Sequence, residues 1–203
     1  MKREGLLYIV SAPSGAGKTS LCKEVVDILP NLRHSVSHTT RTARPGEIHG
    51  VDYFFVSPGE FLRMVDAGEF AEWAHVHGNM YGTAIKTLEE FRHDGVDVIL
   101  DIDCQGALKL KERFGCGVYI FILPPDLQEL RRRLNQRNSE TPETIERRLE
   151  AATDEIRESR WYDYIIVNVL FQQAADELKS VLLAEHCRTG RVLKAVSEIF
   201  DIQ

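Results

Sequence analysis

The ten residues SAPSGAGKTS, Ser11 to Ser20, constrain this chain more than any other stretch. They follow the apolar run LLYIV, Leu6 to Val10. They precede Lys18 to Leu29, where Leu21, Val25, Ile28 and Leu29 recur at helical spacing until Pro30-Asn31 ends the pattern. A short continuous apolar run fits a buried parallel strand, so the glycine-rich loop joins a strand to a helix. Ala12 to Thr19 matches G-x-x-x-x-G-K-[ST] except that Ala12 stands where the first Gly is expected. Gly15 and Gly17 let successive N–H groups point inward, and the helix N-terminus adds its positive end. Lys18 then reaches the β- and γ-phosphates, and the Thr19 hydroxyl is placed to ligate Mg²⁺. A glycine-rich turn that merely caps a helix is the alternative. The Lys-Thr pair between strand and helix argues against it.

Strand-like runs alternate with helical ones along most of the chain. A helix is expected from about Ile85 to His93, a strand at GVDVILDID, a helix from Gln105 to Phe114, and a strand at GVYIFIL that Pro124-Pro125 stops. Helical stretches follow at about Asp126–Asn135 and Pro142–Ser159, then the strand YDYIIVN, a helix over Gln173–Cys187 and a further helix at the end. This rhythm implies a parallel sheet with right-handed crossovers, a P-loop-type α/β core of five strands flanked by helices. From His34 to about Thr83 the texture changes. Turn and β-branched residues dominate, a short helix spans Pro58–Asp66, and Gly78-Asn79 separates two strand-like runs. This segment reads as an inserted, partly antiparallel lobe.

The 203 residues suit one domain with such an insertion. No apolar run approaches a membrane span. The charged start MKREG precedes too short an apolar run for a signal peptide, so a cytoplasmic location and no membrane partner are expected. Cys22, Cys104, Cys116 and Cys187 show no C-x-x-C spacing and read as four thiols. The net charge of −6 argues against nucleic acid as a partner. Yet 17 of the 25 basic residues are Arg and many are clustered, which points to discrete phosphate or carboxylate clamps.

A partner for the loop is expected at the end of a second strand. Period-2 geometry places Asp101 and Asp103 on one face at the C-terminal end of GVDVILDID, where open α/β sheets bind ligands. Asp101 is the candidate support for the Mg²⁺ shell. Arg131, Arg132, Arg133, Arg137, Arg147 and Arg148 fall within eighteen residues. Arg133 and Arg137 share a helix face, and Arg148 returns from the next helix. Alone, with Glu129, Glu146 and Glu150 among them, these arginines read as a solvated face. Beside a phosphate loop they read as a lid that neutralises a moving phosphoryl group. His75 and His77 share a strand face without further ligands at metal spacing.

The acceptor stays open until the inserted lobe is read. There SVSHTTRTARPGEIHGVDYFFV (Ser35–Val56), EWAHVHGNMYGT (Glu72–Thr83) and ILDIDCQG (Ile99–Gly106) resemble the guanylate kinases, a likeness that runs from about Leu6 to Arg188. The resemblance implies ATP on Ser14, Gly15, Ala16, Gly17, Lys18, Thr19 and Ser20. It implies the GMP phosphate on Arg41, Arg44, Tyr53 and Tyr81, guanine on Ser37, Glu72 and Thr83, and Asp103 lining the GMP site. It makes Arg133, Arg137 and Arg148 lid arginines and puts Asn168 near the adenine side or the lid. Lys18, Arg41 and the three lid arginines become the candidate catalytic groups, with Thr19 and Asp101 at Mg²⁺. Two departures stand out: Asn168-Val169 where Asn-Asp is common, and Asn138 after Arg137 where Gly is common.

Guanine chemistry fits this set. Its N1–H and N2–H donors lie side by side, and one carboxylate accepts both, whereas adenine has no donor at N1. Read without the family, Glu72 could equally be a strand-end surface acid, and Tyr53 and Tyr81 core aromatics. The resemblance thus implies ATP + GMP ⇌ ADP + GDP, within purine nucleotide metabolism. It divides the chain into a core (1–34, 85–125 and 159–203), a GMP lobe (35–84) and a lid (126–158). A kinase for another nucleoside monophosphate and a non-catalytic module that binds phosphorylated partners are the alternatives. Leu182, Leu183, Val192, Leu193, Val196 and Ile199 could pack on the chain's own core or on a second subunit, so a homo-oligomer stays open.

Overall fold

The computed structural model describes residues 4–76, 78–136 and 142–200. In chain order the elements are β1 (Leu7–Ser11), α1 (Lys18–Ile28), β2 (Leu32–His34), β3 (His38–Thr39), β4 (Phe54–Phe55), α2 (Pro58–Asp66), β5 (Phe70–Val76) and β6 (Asn79–Ala84). Then come α3 (Ile85–His93), β7 (Asp97–Asp101), α4 (Cys104–Phe114), β8 (Val118–Leu123), α5 (Leu127–Gln136), α6 (Pro142–Glu158), β9 (Tyr164–Val167), α7 (Phe171–Glu185) and α8 (Thr189–Phe200).

Five strands form a parallel sheet in the order β2-β7-β1-β8-β9. β1 is central and buried along its whole length, which is why its sequence is apolar without alternation. Its side chains nevertheless divide between two cores. Tyr8 and Val10 pack with Leu21, Val25, Leu178 and Leu182 of α1 and α7, while Leu7 and Ile9 pack with Leu88 and Leu110 of α3 and α4 on the other face. Burying each such side chain stabilises the fold by roughly 1.5–3 kcal/mol. The fifth strand, β2, had no distinct signal in the sequence. It is three residues long and is fixed by pairing Leu32–His34 with Asp97–Ile99.

Residues between β2 and α3 form a second, mixed sheet in the order β4-β3-β6-β5. β5 and β6 are antiparallel, and Gly78 between them has φ 80°. α2 is capped by the Ser57 hydroxyl, which accepts from the Glu60 N–H, and Pro58 occupies its first turn. α5 and α6 have a small core of their own, made by Leu130, Leu134, Ile145, Leu149 and Ala152.

One expectation is corrected here. Asp101 and Asp103 do not share a strand face, because β7 ends at Asp101. Asp103 is the N-cap of α4, and its Oδ1 accepts from the Gly106 N–H at 2.8 Å. All four cysteines are free thiols, and among the described residues no helix is long and apolar enough to cross a membrane.

Candidate active site

The C-terminal ends of β1 and β7 and the N-terminus of α1 converge on one place. Gly15 and Gly17 both have φ 97°, a left-handed conformation that side chains disfavour, and they fold the loop around the start of α1. Lys18 Nζ lies 2.7 Å from Asp101 Oδ1 and also donates to the Ile102 carbonyl. The Thr19 hydroxyl donates to Asp101 Oδ2 at 2.7 Å. Burial alone would lower the Lys18 ammonium, but Asp101 leaves it raised. Burial likewise opposes the Asp101 charge, yet Lys18 and Thr19 hold that carboxyl below its usual range. Both groups are therefore charged at neutral pH. The result is a cationic tip beside paired oxygen donors at a helix N-terminus, which suits a polyphosphate with a hard divalent cation.

The back of the loop is held by two side chains. Asn168, 4 % exposed just beyond β9, donates from Nδ2 to the Ala16 carbonyl at 2.8 Å. Arg133 of α5 donates to the same carbonyl at 3.2 Å and to the Asn168 carbonyl at 3.0 Å, with Glu129 on its Nε at 2.8 Å. Gly17 lies so close to Asn168 that a Cβ would stand 2.5 Å from Nδ2. Arg148 of α6 reaches the Ser14 hydroxyl at 3.3 Å.

From Lys18 a cleft of about 530 Å³ extends to the second sheet and is lined by Ser37, Arg41, Arg44, Tyr53, Glu72, Tyr81, Asp101 and Asp103, among others. At its far end the Thr83 hydroxyl donates to Glu72 Oε1 at 2.7 Å, with Ser37 Oγ 3.4 Å away. The β5–β6 register shifts between Phe70 and Glu72, so Phe70, Ala71 and Glu72 are buried in succession. This bulge breaks the alternation of β5 and turns a carboxylate inward opposite Thr83. Burial pushes the Glu72 carboxyl up to about 7 against the downward pull of Thr83. Nearer the mouth, Glu47 bonds Arg41 Nη2 and the Arg44 N–H, each at 2.7 Å, and the Arg41 guanidinium lies 5.4 Å over the Tyr53 ring. Tyr53 and Tyr81 meet edge to face.

The guanylate kinase family model matches residues 4–185. The chain belongs to the guanylate kinase family. It is 72 % identical over 202 residues to the guanylate kinase of Geobacter sulfurreducens and 68 % identical to that of Geobacter metallireducens, with the whole of both proteins covered. The solved guanylate kinase of Anaplasma phagocytophilum superposes with a TM-score of 0.82 at 39 % identity, covering 100 % of this chain and 98 % of that one. A gluconokinase from Sinorhizobium meliloti, at 14 % identity and a TM-score of 0.50, shares the fold alone.

Against this family background, the cleft brings together most residues singled out in the sequence. Lys18, Thr19, Ser37, Arg41, Arg44, Tyr53, Glu72, Tyr81, Asp101 and Asp103 line it, and Thr83 stands behind Glu72. Arg133 and Arg148 instead touch the loop itself. Arg131 and Arg132 pair with Glu146 and Glu129 on the surface, and Arg147 is exposed. Arg137, Asn138 and His77 lie outside the described residues. Glu72 is 5 % exposed and so is no surface acid.

Three contributors were missed in the sequence. Glu47 fixes Arg41 and Arg44, and the Pro45-Gly46 turn between them was the available signal. Gly106 lies beneath Glu72. Glu155 of α6 feels the charges of Lys18 and Asp103, with burial pushing it up to about 7, and nothing in its helix pattern marked it.

Proposed function

We infer that this chain is a guanylate kinase that transfers the γ-phosphoryl group of Mg-ATP to GMP, giving ADP and GDP. The observation that carries the reading is one cleft with a buried Glu72–Thr83 pair at one end and the Lys18–Asp101–Thr19 cluster at the other. The carboxylate offers two acceptors to guanine N1–H and N2–H. Thr83 spends its one hydroxyl proton on orienting that carboxylate, and the Ser37 hydroxyl, 3.4 Å from that of Thr83, would donate to O6. Arg41 and Arg44, with Tyr53 and Tyr81, would hold the GMP phosphate as a dianion.

A GMP phosphate oxygen is already an anionic nucleophile and needs no general base. It forms a new bond to the γ-phosphorus while the bond to the β–γ bridging oxygen breaks, and that oxygen leaves on ADP. The chain's work is positioning and charge neutralisation. Ser14 through Ser20 wrap the ATP phosphates with Lys18 on the β- and γ-oxygens. Arg133, Arg137 and Arg148 serve as lid arginines. Thr19, with Asp101 behind it, is an oxygen donor set that fits magnesium, which would arrive with ATP and neutralise phosphate charge. In this reading residues 35–84 form the GMP lobe and 126–158 the lid, on a core of 1–34, 85–125 and 159–203. A cytoplasmic place in purine nucleotide metabolism accords with these substrates.

The test is ADP release from Mg-ATP with GMP, AMP, CMP, UMP or dTMP as acceptor, in wild type and Glu72→Ala. Turnover with GMP, lost in the variant, is expected. Equal turnover with a second acceptor, or a variant that still selects GMP, overturns the guanine site.

A further inference from the structure

Gly106 occupies the first turn of α4, three residues after the N-cap Asp103, and is buried. Glycine is a poor choice there. Its φ is not in the left-handed range, so the backbone does not require it, and alanine at a helical position is the better helix former. The reason lies across the domain. A Cβ built on Gly106 would stand 2.6 Å from Glu72 Oε2, 3.3 Å from Glu72 Cδ and 3.6 Å from Asp103 Oδ1. The only close obstacle is the end of the Glu72 side chain, so a methyl group could be admitted without moving backbone, but only by displacing that carboxylate.

The same face of α4 grips β5 twice more. Lys109 Nζ donates to the Trp73 carbonyl at 2.8 Å, and Arg113 Nη1 donates to the Phe70 carbonyl at 2.6 Å. Residues 106, 109 and 113 share one helical face, and they meet β5 at residues 72, 73 and 70 in turn. The bulged strand is therefore fastened to a helix of the core sheet on both sides of Glu72. With its backbone held there and Oε1 held by Thr83, the second oxygen's position depends on the space over Gly106.

We propose that Gly106 is a specificity-determining positioning residue, whose missing side chain is the slot that holds the Glu72 carboxylate in base-reading orientation. The proposal rests on the reading of Glu72 as the guanine acceptor. Gly106 itself touches no reacting atom. Its contribution is to GMP recognition, separate from ATP binding and from the fold.

The decisive experiment is Gly106→Ala, assayed for both substrates and for melting temperature. The KM for GMP should rise about tenfold or more with the KM for ATP within about twofold. The melting temperature should hold or rise, as alanine replaces glycine in a helix. A merely structural glycine predicts the reverse pattern, with a lower melting temperature and both KM values moved or neither. Should Gly106→Ala prove unstable, it is repeated in the Glu72→Ala background, where the slot is empty and the methyl group should cost nothing. Equal destabilisation in both backgrounds overturns the proposal.

Glu72→Asp supplies the coupling test. The shorter acid withdraws from the slot, so adding Gly106→Ala to it should raise the GMP KM far less than in wild type. Additive effects overturn the proposal. If Glu72→Ala keeps its preference for GMP, the guanine reading fails whatever Gly106 does. If Glu72→Ala loses that preference while Gly106→Ala keeps a wild-type GMP KM, the slot fails and the guanine reading stands.

Discussion

Thr83 and Glu72 stand directly opposite each other across β5 and β6, joined by a 2.7 Å hydrogen bond from the hydroxyl to Oε1. That bond stabilises the ionised acid, yet burial outweighs it and the carboxyl titrates near 7. A guanine held through N1–H and N2–H needs the ionised form. The KM for GMP is therefore expected to rise as pH falls below about 7, and the KM for ATP to stay flat over that change. Stability runs the other way. Glu72 titrates near 4.5 unfolded and near 7 folded, so its favourable contribution is whole below 4.5 and lost as pH rises through 7. Melting of the ligand-free protein should fall over that window. Glu72→Gln should remove this share of the fall and leave the share of Glu155, which burial also raises to about 7.

Lys18 and Asp101 form an ion pair whose side chains are only 17 % and 11 % exposed. Lys18→Met removes the ammonium proposed to hold phosphate and strands a buried carboxylate. Turnover should drop by about two to three orders of magnitude, and unfolding free energy by about 3 kcal/mol. Adding Asp101→Asn should restore most of the stability and none of the turnover. Denaturant unfolding beside the ADP-release assay reads both.

Asn168 should matter for ATP and little for GMP. Its amide and Arg133 share the Ala16 carbonyl, which fixes the peptide leading into Gly17. Asn168→Ala is expected to raise the KM for ATP about tenfold and to cost about 1 kcal/mol of stability. Asn168→Asp should be worse, because a carboxylate cannot donate to that carbonyl and faces it with like charge.

The arginine run divides by position. Arg131 pairs with Glu146 on the surface, and such pairs contribute about 0–1 kcal/mol. Arg131→Ala should keep kcat within about twofold of wild type. Arg133, fastened to Ala16 and Asn168, is expected to lower kcat about a hundredfold when replaced by Ala. Comparable losses in both variants would show that the run acts as a general cationic field.

Much of this architecture could be read from residue order. The strand–loop–helix of SAPSGAGKTS and the Pro58–Asp66 helix follow from local chemistry and appear at those residues. Of the expected Gly78-Asn79 turn only Gly78 lies between the strands, because Asn79 already opens β6 and pairs with Val76. What escaped was set by distant partners. β2 is a strand only because β7 lies beside it. Asp103 continues the apolar-acid alternation of β7, yet chain reversal into α4 makes it a cap. The burial of Glu72 depends on a one-residue register shift against β6 that no local pattern of β5 reveals. Gly106 looked like a residue of the family motif, and its use emerged only with Glu72 above it.

The order of strands also sets an order of assembly. β1 is the first strand made, but its neighbours β7 and β8 begin at Asp97 and Val118. Asn168, which pins the loop at Ala16, comes 152 residues after it. The phosphate loop is thus among the earliest segments synthesised and among the last to be fastened. Closing such long separations costs chain entropy before the contacts repay it, so folding should be slow for the protein's size. A nascent chain that stops short of Asn168 would carry the whole SAPSGAGKTS sequence with its anchoring amide still unmade.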